Sequence, residues 1–337
     1  MKTITVWFNH WFSTSYHIIN LIKNDKDINI KILGTNSNGD SVIKKVCDYW
    51  ETEPDNLSDE EYIKYCIEMC EKYSVDIFVP RRKQLLICKN LEIFKRKNIE
   101  IFAENDYRKI KILSNKISAY KLFEKLKIGY IPEYRQVFSY KEFIEGYHEL
   151  KKKYKKVCMK LAEDEGAQSF KLISEDTNKR ERIFKRKSSE ITLNEIKESF
   201  ELLPIIPEII LMPYLEGNEV SVDCLKTKNG NIIIPRFKTS GRMEIVKYEE
   251  EIISVCNEFI EKFILEYPFN IQFRYHENKL YLLEINTRMS GGIQYSCEAS
   301  GVNIPNITLN KILGKDKLWN IQGEEIRISF IETPVLL

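Results

Sequence analysis

The 337-residue sequence is 43% hydrophobic and 30% charged, with a formal net charge of +2. These are the proportions of a soluble globular protein, and they exclude a strong field for nucleic acid or an anionic membrane. The length suits two or three domains, and no apolar run approaches the roughly 20 residues of a membrane span.

Thr3 to Phe8 is an apolar, β-rich run, followed by a polar turn and a helical pattern from Tyr16 to Lys23. Ile28 to Gly34 reads as a second strand. Ser58 to Tyr73 reads as a helix whose Ser58 and Glu61 form a capping box. A short buried strand from Val75 to Pro80, a helix from Leu91 to Lys97 and a strand from Glu100 to Ala103 complete the first third. This alternation predicts a parallel sheet with crossover helices. Ligands bind such sheets at the carboxyl ends of the strands, which makes Asn9 to Ser15 and Pro80 to Gln84 the expected cleft walls. No G-x-G-x-x-G follows the first strand, so a dinucleotide-binding oxidoreductase is not supported.

A second organisation begins near Tyr107. Helices are expected from Ser114 to Leu126, with Lys116 in the first turn, and from Lys141 to Tyr154. Val157 to Leu161 and Phe170 to Ile173 read as strands around the loop Glu163 to Ser169. Lys179 to Lys187 lies in a polar, basic connection without interleaved aromatics, so it reads as a solvated loop. Ile205 to Met212 is apolar. Glu219 to Leu225 and Ile232 to Phe237 are paired strands with a turn signal at Asn229-Gly230. Glu249 to Phe263 is an amphipathic helix, and Phe269 to Tyr275 with Leu280 to Asn286 forms a second hairpin.

The eight cysteines are scattered, without a C-x-x-C pair, and only four histidines are present. This suits a reducing compartment, hence the cytoplasm, and argues against histidine-based zinc chemistry. The first residues lack the features of a signal peptide.

Three segments carry chemistry. In FNIQFRYHENKLYLLEINTRMSGG, Glu284 and Asn286 lie two apart on one strand and Gln272 on its partner, so oxygen-bearing side chains share one sheet face. Such a set can hold a hard divalent cation such as Mg²⁺ together with substrate phosphates. Arg288 could clamp an anion bidentately, and Ser290, Gly291 and Gly292 expose backbone N–H groups suited to anions. Lys160 precedes EDEGAQS, whose Gly166, Ala167 and Ser169 let backbone approach phosphates. Read alone, that loop is equally a surface hairpin, and it is not a Walker A loop. In ILMPYLEGNEVSVDCL, Met212 to Leu215 could read an adenine edge and Glu219 could accept from ribose hydroxyls, or lie on a surface loop.

Together these segments resemble the ATP-grasp superfamily over about the last two-thirds of the chain. The pattern is similar to carbamoyl phosphate synthase large-subunit-like proteins, with Q…E-x-N-x-R, and N-T-R-M-S-G-G resembles ATP-grasp proteins encoded with tellurite-resistance operons. The resemblance implies an α/β and α+β chain. Residues 1–106 would be the parallel-sheet pre-ATP-grasp domain, 107–200 the small lobe and 201–337 the large lobe with the metal site. It implies that Lys116 and Lys160 contact ATP phosphates, that Glu165 to Ser169 cover them, and that Met212 and Tyr214 line the adenine pocket. Glu219 would hold ribose, Gln272, Glu284 and Asn286 would hold Mg²⁺, and Arg288 would face the transferring phosphoryl group. Pro213 stands near a hinge position where the family often has Glu. Gly291 stands about where the synthase pattern has a second Arg, which argues against that enzyme's bicarbonate chemistry.

The expected activity is an ATP- and Mg²⁺-dependent ligase that activates a carboxylate as an acylphosphate for attack by an amine, with Arg288 and Lys160 as catalytic residues. The alternative is a non-catalytic ATP-binding sensor or scaffold. His10, Trp11, Ser13, Arg236, Lys238, Arg242, Ser290 and Gly291 are the candidate substrate residues, although the cations of PRFKTSGR read equally as a solvated strand end. The expected partners are small-molecule carboxylate and amine substrates. Homodimers are the commonest assembly, and the sequence leaves the oligomeric state open.

Overall fold

A computed structural model describes residues 3–164, 168–174, 189–239, 241–321 and 323–336. The chain divides into two compact units. One comprises Met1–Lys111, Val220–Gln272 and Asn286–Leu337; the other comprises Ile112–Glu219 and Phe273–Ile285. The units therefore cut the chain differently from the three consecutive segments expected from sequence.

The first stretch of unit one contains β1 (Thr3–Asn9), α1 (Ser15–Lys23), β2 (Asn29–Asn36), β3 (Tyr49–Thr52), α2 (Asp59–Lys72), β4 (Ile77–Val79), α3 (Gln84–Lys89), α4 (Leu91–Lys95) and β5 (Glu100–Ile101). The five strands are parallel and ordered β3-β2-β1-β4-β5. The chain winds outward from β1 to β3, then crosses to the other side of β1. Strand order thus reverses between β1 and β4, and it is at the carboxyl ends of strands at such a reversal that parallel sheets bind ligands. Alternate side chains of β1 serve two cores. Ile4, Val6 and Phe8 pack with Ile18, Ile19 and Ile22 of α1, while Trp7 packs with Tyr62, Cys66 and Met69 of α2. Burial on both faces is the expected state of a parallel strand. The Ser58–Glu61 capping box opens α2 as the sequence predicts. β3 and α3 were not legible; α3 begins inside an expected loop, after Lys83 turns the chain with φ +52°.

Next come α5 (Tyr107–Ser114), α6 (Lys116–Leu126), β6 (Arg135–Val137), α7 (Tyr140–Lys151), β7 (Val157–Leu161), β8 (Lys171–Ser174), β9 (Glu190–Thr192), α8 (Leu193–Leu202) and β10 (Ile209–Pro213). Unit two holds a sheet of order β6-β10-β7-β8-β9. Asn115 separates α5 from α6, and its side chain caps α6 by accepting from Ser118 N. Lys116 is therefore the first residue of α6. The basic stretch Lys179 to Lys187 lies outside the described residues.

The remaining elements are β11 (Glu219–Thr227), β12 (Gly230–Lys238), β13 (Glu244–Val246), α9 (Glu250–Lys262), β14 (Phe269–His276), β15 (Lys279–Asn286), α10 (Ile293–Ser300), α11 (Ile304–Ile312) and β16 (Ile326–Ile328). Their sheet has the order β15-β14-β11-β12-β13-β16, and the division between units runs through β14 and β15. The β11–β12 turn is Lys228-Asn229, one residue earlier than expected, because Thr227 pairs with Gly230. Glu277 and Asn278 make the β14–β15 turn with φ of +47° and +60°, the backbone of a type I′ hairpin.

All eight cysteines are free thiols, and seven are buried. Among the described residues, no helix is long and apolar enough to cross a membrane.

Candidate active site

Unit two contains a cavity of about 190 Å³ at the carboxyl end of β10. Antiparallel pairing sets Met212 opposite Cys158 and Ile210 opposite Lys160. Met212, Cys158, Leu215 and Leu283 form a buried apolar cluster beneath the cavity. Burial pushes the Cys158 thiol up to about 12, so it stays a neutral apolar filler. Lys160 Nζ lies 5.7 Å from the Phe170 ring centroid, and Phe170 lies 6.1 Å from Tyr214. Arg274 donates to Leu215 O at 3.2 Å and to Glu219 Oε2 at 2.8 Å, and it sits 5.8 Å from the Tyr214 ring. An apolar floor, two aromatic rings, a lysine and an oriented carboxylate form a pocket suited to a flat heterocycle carrying hydroxyl and anionic groups.

Lys116 is 3% exposed. Its ammonium donates to the Asp164 carboxylate and, at 3.3 Å, to Asp164 O. It also lies 3.6 Å from Glu284 Oε2. Its backbone N–H donates to Ala162 O at 2.9 Å, which fixes α6 against the start of the loop. Ser169 closes the other end: its N–H and Oγ donate to Asp164, and its Oγ accepts from Leu161 N at 2.8 Å. Burial raises the Asp164 pKa, but hydrogen bonds from Lys116 and Ser169 outweigh it and hold the carboxyl below its usual value. The fold thus brings Lys116, Asp164 of the predicted loop and Glu284 together. Gly166 and Ala167 lie outside the described residues.

Along β15, Leu283 and Ile285 are buried while Glu284 and Asn286 are half-buried; along β14, Gln272 is half-buried between buried Ile271 and Phe273. Glu284 and Asn286, two apart on β15, have the spacing of side chains on one strand face. The division assigns Gln272 and Asn286 to unit one and Glu284 to unit two. Among the described residues there is no cluster of three or more His, Cys, Asp or Glu. In unit two, Glu284 supplies a hard carboxylate oxygen of the kind that Mg²⁺ shares with phosphates.

In unit one, Arg288 Cζ sits 5.7 Å from the Phe12 ring centroid. Gly291 is exposed, and Gly292 precedes α10. His10 adopts φ +50° and its Nε2 pairs with Ser37 Oγ at 2.9 Å. Ser13 and Lys238 are exposed. Arg242 pairs with Glu332 at 2.7 Å. Two expectations are corrected. Trp11 is buried, with Nε1 donating to Val79 O at 2.9 Å, so it belongs to the core. Arg236 is buried too: it bonds Asp223 and Ser296 through Nε, Glu244 through Nη1, and Ser221 and Ser290 through Nη2. A cation enclosed by two carboxylates and three hydroxyls is a structural brace, and the carboxylates keep it charged against the effect of burial. Ser290, 7% exposed and bonded to that brace, fixes the turn after Arg288.

Comparison with known proteins bears on this geometry. Residues 206–334 match the family described as ATP-grasp in the biosynthetic pathway with Ter operon. The carbamoyl phosphate synthase large chain of Clostridium botulinum (strain Alaska E43 / Type E3) is 31% identical over 125 residues. That match covers 32% of this chain and only 11% of the relative's length. The ADP complex of N5-carboxyaminoimidazole ribonucleotide synthetase superposes with a TM-score of 0.69 at 14% identity, covering 97% of this chain and 80% of that one. The biotin carboxylase domain of Hydrogenobacter thermophilus 2-oxoglutarate carboxylase gives a TM-score of 0.66 at 15% identity, covering 94% and 71%. This is an ATP-grasp fold.

Within the ATP-grasp fold, sequence reasoning overlooked Arg274, Phe170 and Asp164. Arg274 lies two residues after Gln272 on β14, and its pairing with Glu219 depends on two strands meeting across 55 residues of sequence. Asp164 stood inside the predicted loop, but only the fold reveals that it faces Lys116.

Proposed function

We propose that the protein is an ATP- and Mg²⁺-dependent ligase that activates a carboxylate as an acylphosphate for attack by an amine. The observation that carries this reading is the convergence on Lys116 of the loop residue Asp164 and of Glu284, 3.6 Å away. A buried lysine beside a carboxylate that suits a metal has the composition of a nucleotide-phosphate site. The cavity around Met212, Tyr214, Glu219 and Lys160 would take the adenosine. Glu284 would hold Mg²⁺, and the resemblance implies Gln272 and Asn286 as its further ligands. When bound, Mg-ATP supplies the phosphoryl group and neutralises its charge.

The chain's own groups then have separate tasks. Met212 and Leu215 exclude water from the base. Arg274 holds Glu219 in place for ribose hydroxyls. Lys116 and Lys160 bind phosphate oxygens, with Lys116 exchanging its Asp164 contact for them. Arg288 steadies the oxyanion of the activated carboxylate. No protein nucleophile is required.

The test is phosphate release from Mg-ATP with a panel of carboxylates and amines, alongside ATP binding by calorimetry. Release that requires a carboxylate–amine pair supports the ligase. Tight ATP binding without release across the panel would instead identify a nucleotide-binding sensor.

A further inference from the structure

Two residues before Gln272, β14 carries an asparagine to which the ligase reading gives no task. Asn270 and Gln272 have the spacing of side chains on one strand face. Asn270 is fully buried. Its Nδ2 donates to Ser221 Oγ at 3.0 Å, to Val222 O at 3.1 Å and to Asp223 Oδ1 at 2.9 Å. A backbone carbonyl and a carboxylate can only accept, so these contacts decide which end of the amide is nitrogen. Asp223 is itself pinned, since its Oδ2 accepts from Arg236 Nε at 3.2 Å and from Ser296 Oγ at 2.6 Å.

With Nδ2 committed, Asn270 Oδ1 is left to accept, from Ser221 Oγ at 3.4 Å and from Gln272 Nε2 at 3.5 Å. The contact with Gln272 is long, but its polarity is plain, because the flipped amide would set two oxygens against each other. Gln272 is half-buried, and among the described residues its Oε1 has no hydrogen-bond partner. Donor and acceptor therefore alternate from Arg236 through Asp223, Asn270 and Gln272, and the series ends on an oxygen. All of these residues belong to unit one. An amide binds a hard cation through its oxygen.

Building on the ligase reading, in which Gln272 is an implied Mg²⁺ ligand, we propose that Asn270 is a positioning residue that holds the Gln272 amide with its oxygen toward the cation. It acts as the hydrogen-bonded partners of metal ligands do, by fixing which atom the ligand presents. The Arg236 brace stands behind it, because Asp223 answers to both.

A two-by-two set of variants tests this on the full chain, read by Mn²⁺ binding in the presence of ADP with electron paramagnetic resonance. Asn270→Ser should weaken Mn²⁺ binding about tenfold or more, the scale of losing the partner of a metal ligand. Gln272→Glu offers an oxygen at either end of the group and needs no such orientation. In that background Asn270→Ser should cost no more than about twofold. An equal loss in both backgrounds would make Asn270 merely structural and overturns the proposal. So does unchanged binding in Asn270→Ser, or no Mn²⁺ binding by the parent protein. Should circular dichroism show Asn270→Ser unfolded, the parent protein decides. Its Gln272 side-chain amide, labelled with ¹⁵N and assigned by its loss in Gln272→Met, should exchange hydrogen at least about fivefold more slowly than free glutamine. Exchange at the free rate overturns the proposal. Phosphate release from Mg-ATP scores the ligase reading separately. The expected Mn²⁺ pattern without release sinks only that reading; release with an equal loss in both backgrounds sinks only this proposal.

Discussion

Lys116 Nζ stands 3.6 Å from Glu284 Oε2, linking the first residue of α6 to the second strand of the β14–β15 hairpin. In the proposed ligase this lysine would bind phosphate and this carboxylate a metal, so the two would neutralise each other until an anion and a cation arrive together. Glu284→Gln should therefore lower phosphate release by about a hundredfold or more, the scale of losing one preorganised charge in a closed site. The fold should survive, because Lys116 keeps its Asp164 partner. Steady-state phosphate release and nucleotide-free melting curves measure the two effects. Unchanged release would remove Glu284 from the metal set.

Asp164 holds the ammonium that the proposed site would offer to nucleotide phosphate. In Asp164→Asn, Lys116 no longer has to leave an ionised partner, and a negative charge is removed from the phosphate path. ADP should bind at least about threefold tighter, while the nucleotide-free protein loses stability through the broken ion pair. Calorimetric titration with Mg-ADP and thermal unfolding provide the two readouts. Weaker ADP binding with unchanged melting would show that Asp164 assists the nucleotide instead.

The elements that carry the proposed nucleotide residues were more legible in the sequence than the partners of the proposed acceptor residues, for a physical reason. Glu284 and Asn286 lie two apart on one strand, so periodicity alone puts those two on one face, whereas the place of Gln272 depends on the register of its partner strand. Lys116 opens α6 and Lys160 lies next to the end of β7, close to the helix start and the strand end that the sequence predicts. The acceptor side depends on which cation finds a carboxylate, and that is set by tertiary register. Arg236 looked like a substrate cation on an exposed strand end, but it pairs with Ser221 across β11–β12 and so comes beside Asp223.

Gly292 and Gly291 make a paired test of the Arg236 brace. A Cβ on Gly292 would come 2.5 Å from Arg236 Nη1, whereas one on Gly291 would meet nothing nearer than Thr14 Oγ1 at 3.4 Å. Arg236 is held on several sides and cannot yield cheaply. Gly292→Ala should cost about 1–3 kcal/mol, as overpacking does, and Gly291→Ala should stay within about 0.5 kcal/mol. Urea unfolding of the two variants decides it. Equal stabilities would mean that the brace is loose.

Asp25 gives unit one an acid-sensitive anchor. Its side chain is fully buried and accepts from Asn306 at 2.8 Å, Asn310 at 2.9 Å, Lys317 at 2.6 Å and the Asp27 N–H at 2.9 Å. Burial alone would raise its pKa, but these donors outweigh it and hold the carboxyl far below the usual range. A carboxyl that titrates lower when folded contributes its full stability above the unfolded pKa of about 4. That contribution is lost as pH falls from there through the folded value. Asp25→Asn should therefore destabilise the protein by about 2 kcal/mol at pH 6, the scale of a hydrogen bond to a charged group. The gap to the parent protein should narrow steadily as pH falls below about 4. Urea unfolding of both proteins across that range tests the anchor, and a gap that stays constant with pH would mean that Asp25 is held by packing rather than by its charge.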